Sequence, residues 1–444
     1  MTKLCILNVV GLTPKLLRHA PNLAAMGNHR PWTSPVPAVT CTSQATMLTG
    51  LAPRDHGVVG NGWLYRDTQE IRFWQQARTL IEGDVFYDRY ETAKMFWWFN
   101  QSTTAQYGAT PKPHYGCDGS KVFDILDWSG CNLTEKLGPF PFFGFWGPAA
   151  GIASSEWIAQ ATALVMREKQ PQLTLCYLPH LDYDFQRLPH HDPARVAEVD
   201  AAAAKVIEAA GEIGAQVVVV SEYGLVPVDT PVGINQILRR NDWLKVRRGP
   251  FGEIMLPGES DAFAVADHQL AHVYVRRPEL IPTVRSTLEQ TPGIAAVVSP
   301  GDLQLDHPRS GELIALAEPN AWFTYYYWLD NANAPDFART VDIHRKPGYD
   351  PCELFLTSKL RAAARLAQKK AGLRYKMDVI PLDPTLVRGS HGVLPADHND
   401  GPLIIGPSEL PETMQGFPRY VEQLLAPRSG SRQDFRLSRN ERNS

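Results

Sequence analysis

The chain alternates between short, wholly apolar runs and longer stretches with helical spacing. Lys3 to Val10 is a β-rich run closed by Gly11, and Gln172 to Leu178 is a second run of the same kind. Gln216 to Val220 carries four consecutive valines. Between and after these runs lie amphipathic segments, Ser154 to Lys169 and the Ala-rich Pro193 to Ile213. Apolar strands separated by amphipathic helices predict a parallel sheet covered on both faces. Thr13-Pro14 offers a cap followed by proline at the first helical position, predicting helix to about Met26 with a break at Pro21. Another helix is expected from about Thr42 to Gly50, and a third from Pro231 to Asn241 with Thr230 as its cap. Further on, strands are predicted at Ala262–Ala266, His272–Val275, Ala295–Val298 and Glu312–Ala317, with a helix near Pro278–Glu289. Ser358 to Lys370 reads as a basic helix with a solvated charged face.

The regular alternation fails between Asn61 and about Gly151. That stretch is rich in Trp, Phe, Pro and Gly, with Phe96-Trp97-Trp98-Phe99 and Phe142-Phe143-Gly144-Phe145-Trp146 standing out. It reads as an aromatic-rich insertion or cap (61–151) over the sheet edge. No repeat or linker divides the chain, so one domain over 1–427 is expected, followed by a disordered, mildly basic tail over 428–444.

Composition narrows the class further. At 444 residues, with 44% hydrophobic and 20% charged residues, the chain can bury a large core. A net charge of -3 gives no reason to expect nucleic acid or an anionic membrane as partner. The N-terminus lacks a signal-peptide pattern, no apolar run approaches membrane-spanning length, and six scattered cysteines have no CxxC spacing. A cytoplasmic protein with free thiols is the expectation; a Cys117–Cys131 disulfide has no support.

Ligands of open α/β sheets gather at the carboxyl ends of the strands. There the sequence places a hydroxyl near a helix start (Thr40), a run from His180 to Gln186 containing Asp182, and Ser221-Glu222-Tyr223-Gly224. A late loop adds Arg388-Gly389-Ser390-His391-Gly392. A hydroxyl at a helix N-terminus favours an anion beside it, and carboxylates with a histidine suit a metal. Together they suggest phosphoryl transfer through a covalent intermediate. A threonine in that position also serves as a simple helix cap.

The order of motifs carries a resemblance. Pro37-x-x-Thr40, then Leu48-Thr49-Gly50, Pro53-Arg54-Asp55-His56-Gly57 and Gly60-Asn61 resemble the nucleophile segment of nucleotide pyrophosphatases/phosphodiesterases in the alkaline phosphatase superfamily. Asp182 with the residue four later, Ser221 to Gly224 and His391-Gly392 follow in the order of that branch's metal motifs. A divergent subgroup of bacterial proteins encoded in a conserved gene cluster is similar too. The resemblance implies an α/β fold with an alkaline phosphatase-like core, Thr40 as nucleophile, Asn61 on a phosphoryl oxygen, and a metal pair, usually zinc. Asp182, Glu222 and His391 match ligand positions. The expected activity is metal-dependent hydrolysis of a phosphate ester, phosphodiester or pyrophosphate of a small metabolite.

Three ligand positions depart from the pattern. Val10 stands where the first aspartate belongs, Gln186 replaces the histidine four after Asp182, and Tyr223 replaces the histidine after Glu222. Loss of nitrogen ligands leaves zinc, a hard cation such as Mg²⁺ or Mn²⁺, or no metal as alternatives, with Gln186 and Tyr223 as substitute ligands. Asp267-His268, Asp306-His307 and Asp342-Ile343-His344 are further pairs that a turn can bring onto a metal, and Arg345 and Lys346 are candidates for a substrate anion. Two other readings stay open: a catalytically silent protein that binds a ligand or partner, and a phosphoryl or sulfuryl transferase.

Overall fold

The computed structural model of the chain describes residues 2–117 and 121–426. Eight strands build a central sheet in the spatial order Asn28–Pro31, Leu403–Gly406, Ala215–Val220, Lys3–Val9, Leu173–Leu178, Thr92–Met95, Tyr107–Pro111 and Ile125–Asp127. The five strands from Ala215–Val220 to Tyr107–Pro111 are parallel, and their flanking neighbours pair antiparallel. This is a mixed α/β architecture with a mostly parallel sheet. Lys3–Val9 lies between its two apolar partners, with Asn8 opposite Tyr177 on one side and Val220 on the other. That register brings the carboxyl ends of the three strands level, so the residues after them share one edge.

Helices Ile152–Lys169 and Pro193–Glu212 pack on each other, while Thr40–Thr49 packs with Phe417–Leu425. Asp192 caps Pro193–Glu212 by accepting from the Ala194 amide, with proline at the first position, as its sequence suggests. The segment 61–151 is not confined to a cap. It supplies three strands to the far edge of the central sheet, of four, five and three residues. Runs that short show no legible alternation.

A second, antiparallel sheet orders Ala262–Asp267, Leu270–Val275, Leu313–Ala317 and Ile294–Val298, with its own apolar core including Phe263, Val273 and Leu313. Its first hairpin turns at His268, whose φ of 61° is left-handed, and delivers Asp267 and His268 toward the central sheet's ligand edge.

Two local expectations change. Thr230–Val232 is a strand paired with Ala321–Phe323, and the helix starts only at Ile234. The run after Leu178 is a helix, His180–Arg187, instead of an extended loop, so residues four apart share a face. Helix Lys359–Lys370 has the solvated basic face expected of it, with Lys359, Arg361, Lys369 and Lys370 exposed and Arg361 and Arg365 also reaching Asp378. All six cysteines are free, and no described helix is long and apolar enough to cross a membrane. The expected tail lies outside the described residues.

Candidate active site

Thr40 is the first residue of its helix, follows the extended Val39, and is 4% exposed. Its Oγ1 lies 3.0 Å from the Tyr223 hydroxyl, which lies 3.3 Å from Asp182 Oδ1. A carboxylate only accepts, so Tyr223 donates to Asp182 and accepts from Thr40. The His391 Nε2 atom stands 3.5 Å from the same Asp182 oxygen. The threonine, the aspartate and the histidine thus meet through Tyr223, although 351 residues separate Thr40 from His391 (391 minus 40).

The ring of contacts closes on itself. Gln186, one helical turn after Asp182, donates to Asp182 Oδ2 at 2.9 Å and accepts from the Tyr349 hydroxyl at 2.7 Å. Tyr349 stacks on His268 with ring centroids 3.7 Å apart, His268 lies 3.7 Å from His391, and His391 stacks on Tyr223 at 3.5 Å. Each ring is held on a face, and the Tyr223, Tyr349 and Gln186 polar groups each have a partner, which restricts the rotamers around Thr40.

Glu222 is buried on the other side of Tyr223. Its Oε1 accepts from Asn8 and from Gln44, both at 2.6 Å, while Oε2 has no partner. The Gln44 amide is oriented because its own oxygen accepts from the Trp98 N–H at 2.8 Å. Burial pushes the Glu222 carboxyl up to about 8, against hydrogen bonds from Gln44 and Asn8 that favour the charge. Asn61 accepts from the Cys41 N–H at 3.0 Å, and its backbone and side-chain nitrogens donate to the buried Asp267 at 2.7 and 3.0 Å. Asp267 is itself raised to about 6, again chiefly by burial.

Two atoms test whether these residues suit a cation. His391 Nδ1 lies 2.7 Å from the Ala38 carbonyl oxygen, which can only accept, so Nδ1 carries the hydrogen. In the neutral ring Nε2 then presents a lone pair to Asp182, and it is buried without a hydrogen-bond partner. Two facing acceptors in a buried space fit a cation between them. Asp182 and His391 therefore suit one divalent ion, with Thr40 beside it.

The other proposed ligands are placed differently. Gln186 and Tyr223 both turn hydrogens, not lone pairs, toward Asp182, so neither serves as a ligand in this arrangement. Asp342 and His344 stand apart, in the loop of an open cavity of about 580 Å³ that His344 and Arg345 line. Arg345 is 3.4 Å from Asp342. Lys346 is unavailable to a substrate: it is 1% exposed and sits 2.7 Å from Asp350 and 2.6 Å from Glu353. Asp306 pairs with Arg54 and His307 with Glu82, away from Thr40. Among the described residues, His180, Asp184 and Glu198 form a group of three whose ligand atoms all lie within 4.8 Å of one another. Its carboxylates are already matched by Arg187 and Arg195. His180 and Asp184 are on the opposite side of the helix from Asp182.

Sequence reading missed Gln44 and Tyr349. Gln44 carried a signal, since it lies four residues after Thr40 on one helix face. Tyr349 carried none, because only the tertiary fold brings it to Gln186.

A hydroxyl at a helix mouth, facing an aspartate and a histidine at the carboxyl edge of a parallel sheet, is the arrangement of the alkaline phosphatase superfamily. Within it, the chain belongs to the type I phosphodiesterase / nucleotide pyrophosphatase family, whose model matches residues 4–350. Solved structures agree on the fold. Phosphonoacetate hydrolase from Sinorhizobium meliloti 1021, in complex with phosphonoacetate, aligns with a TM-score of 0.61 and 15% identity over 96% of both chains. Murine ectonucleotide pyrophosphatase / phosphodiesterase 5 aligns with a TM-score of 0.56 and 12% identity, covering 96% of this chain and 95% of its own. No curated protein sequence matches the chain.

Proposed function

We propose that the chain hydrolyses a phosphate ester, phosphodiester or related phosphorus-containing bond of a small metabolite, with Thr40 as nucleophile. The observation that carries this reading is the hydrogen-bonded line from Thr40 through Tyr223 to Asp182, ending at the open Nε2 of His391. Because Tyr223 takes the hydroxyl hydrogen of Thr40 as acceptor, the lone pairs of Oγ1 are left to face phosphorus. The Oγ1–P bond forms as the Thr40 proton passes to Tyr223 and the Tyr223 proton to Asp182, while the bond from phosphorus to the leaving oxygen breaks and that oxygen departs with its electron pair, to be protonated by water. Water then cleaves the phospho-threonine. The N-terminus of Thr40–Thr49 favours the anion at this place, and Asn61, anchored by Asp267 and Cys41, is held beside it. A divalent cation held by Asp182 and His391 would supply Lewis-acid withdrawal of charge from a phosphoryl oxygen. Family membership and the fold shared with a phosphonoacetate hydrolase support this class of substrate.

The test is turnover of bis-p-nitrophenyl phosphate, p-nitrophenyl phosphate and phosphonoacetate, with added Mn²⁺ or Zn²⁺, by the wild type and Thr40→Ala. Turnover of any of the three that drops at least 100-fold in Thr40→Ala, with the melting temperature kept, is the expected result. Equal residual rates in both proteins would remove Thr40 from the chemistry and favour a silent, ligand-binding role, toward which the loss of a ligand at Val10 points.

A further inference from the structure

The geometry points to a single-cation site in which the Tyr223 hydroxyl, flanked by an amide-locked Glu222, stands in the place a second cation would take beside Thr40. This rests on the proposed reading of Thr40 only for its kinetic arm; the cation count stands without it.

Beside Thr40 stands the Tyr223 hydroxyl, next to Tyr223 in the chain is Glu222, and Val10 follows the strand that carries Asn8. Val10 is fully buried in the apolar core and offers no donor atom. Tyr223 has its hydrogen committed to Asp182 and one lone pair to Thr40. Glu222 has one oxygen saturated by two amide hydrogens whose orientation is fixed, since the Gln44 oxygen is engaged by the Trp98 amide. What remains there is the single oxygen Oε2. Catalytic metal sites use about three protein ligands, so one oxygen is too few. Asp182 and His391 provide two, which suits a cation that completes its shell with water and substrate oxygens.

The substitutions are mutually consistent. A tyrosine ring lies flat on His391 with 6° between planes, and its hydroxyl reaches both the nucleophile and the remaining aspartate. Asn8, near the end of strand Lys3–Val9 and two residues before Val10, sends an amide to Glu222. Val10 thus offers no ligand atom, and the amides of Asn8 and Gln44 hydrogen-bond the carboxylate that a second cation would otherwise neutralise. Tyr223 then holds the Thr40 hydroxyl in one orientation without needing charge on that side.

Mn²⁺ titration of the full chain, with free ion counted by electron paramagnetic resonance, tests the stoichiometry. One ion per chain is expected in the wild type, in Tyr223→Phe and in Glu222→Gln, and none in Asp182→Asn or in His391→Ala. Two ions per chain, no ion in the wild type, or a loss in Glu222→Gln would each overturn the inference. Tyr223→Phe is expected to lower kcat about 10- to 100-fold with KM within about threefold, since it frees the Thr40 hydroxyl to rotate. An unchanged kcat would remove the orienting role. If no substrate is turned over, the ion count alone decides, so failure of the hydrolase reading and failure of this one stay distinguishable.

Discussion

Glu222→Gln isolates the electrostatics of the buried site. In the folded chain, burial raises the Glu222 carboxyl from 4.5 to about 8. Stability from this group is therefore complete below about pH 4.5 and falls as pH rises through 8, because the unfolded chain ionises first. The displacement corresponds to roughly 5 kcal/mol at about 1.36 kcal/mol per tenfold change. Glutamine copies the protonated acid: its oxygen can accept both amide hydrogens, and its nitrogen takes the position of the partnerless Oε2. Asp267, raised in the same direction, is present in both proteins and cancels in the difference. The variant should match the wild type at pH 4.5 and gain on it progressively up to pH 9. With an unfolding entropy of about 2.1 cal/mol/K per residue, 444 residues turn 5 kcal/mol into a Tm advantage of about 5 °C. Calorimetry of both proteins in EDTA across that range is the assay. A difference that stays flat with pH, or a variant less stable at pH 9, would refute the reasoning and show that folded Glu222 carries its charge at neutral pH.

Two further substitutions probe how the surroundings are held. Lys346→Met should destabilise by about 3 to 5 kcal/mol in urea unfolding, because Asp350 and Glu353 lose their shared cation in a buried space. Adding Asp350→Asn and Glu353→Gln should recover most of that loss. Lys94→Met removes a buried amine that donates to the Trp98 and Phe99 carbonyls at 2.7 and 2.9 Å, across a turn whose Phe96 and Phe99 have φ of 63° and 57°. It should cost about 2 to 4 kcal/mol, read by urea unfolding. Since the same turn orients Gln44 through the Trp98 amide, the pH dependence seen with Glu222 should change alongside.

What the sequence determined follows from how local each signal is. The apolar runs at Lys3–Val10, Gln172–Leu178 and Gln216–Val220 became adjacent parallel strands, since a strand buried on both faces has no polar position to place. Pro37 to Asn61 was legible as one motif because Thr40 and Asn61 lie on or close after one helix, although Gln44 on that helix went unnamed. Strands of three to five residues, such as Thr92–Met95, give too few positions for a period to show, so the far edge of the sheet was read as an insertion. The sequence also named Gln186 and Tyr223 without saying which way their polar atoms point. Only the packed structure decided that, because orientation depends on partners far along the chain: Tyr349 fixes the Gln186 amide, and Asp182 fixes the Tyr223 hydroxyl. Lys346 shows the same limit in reverse, since a lysine in a polar loop reads as exposed until two carboxylates bury it. Residue type sets which hydrogen bonds a side chain can make; the fold selects which of them it does make.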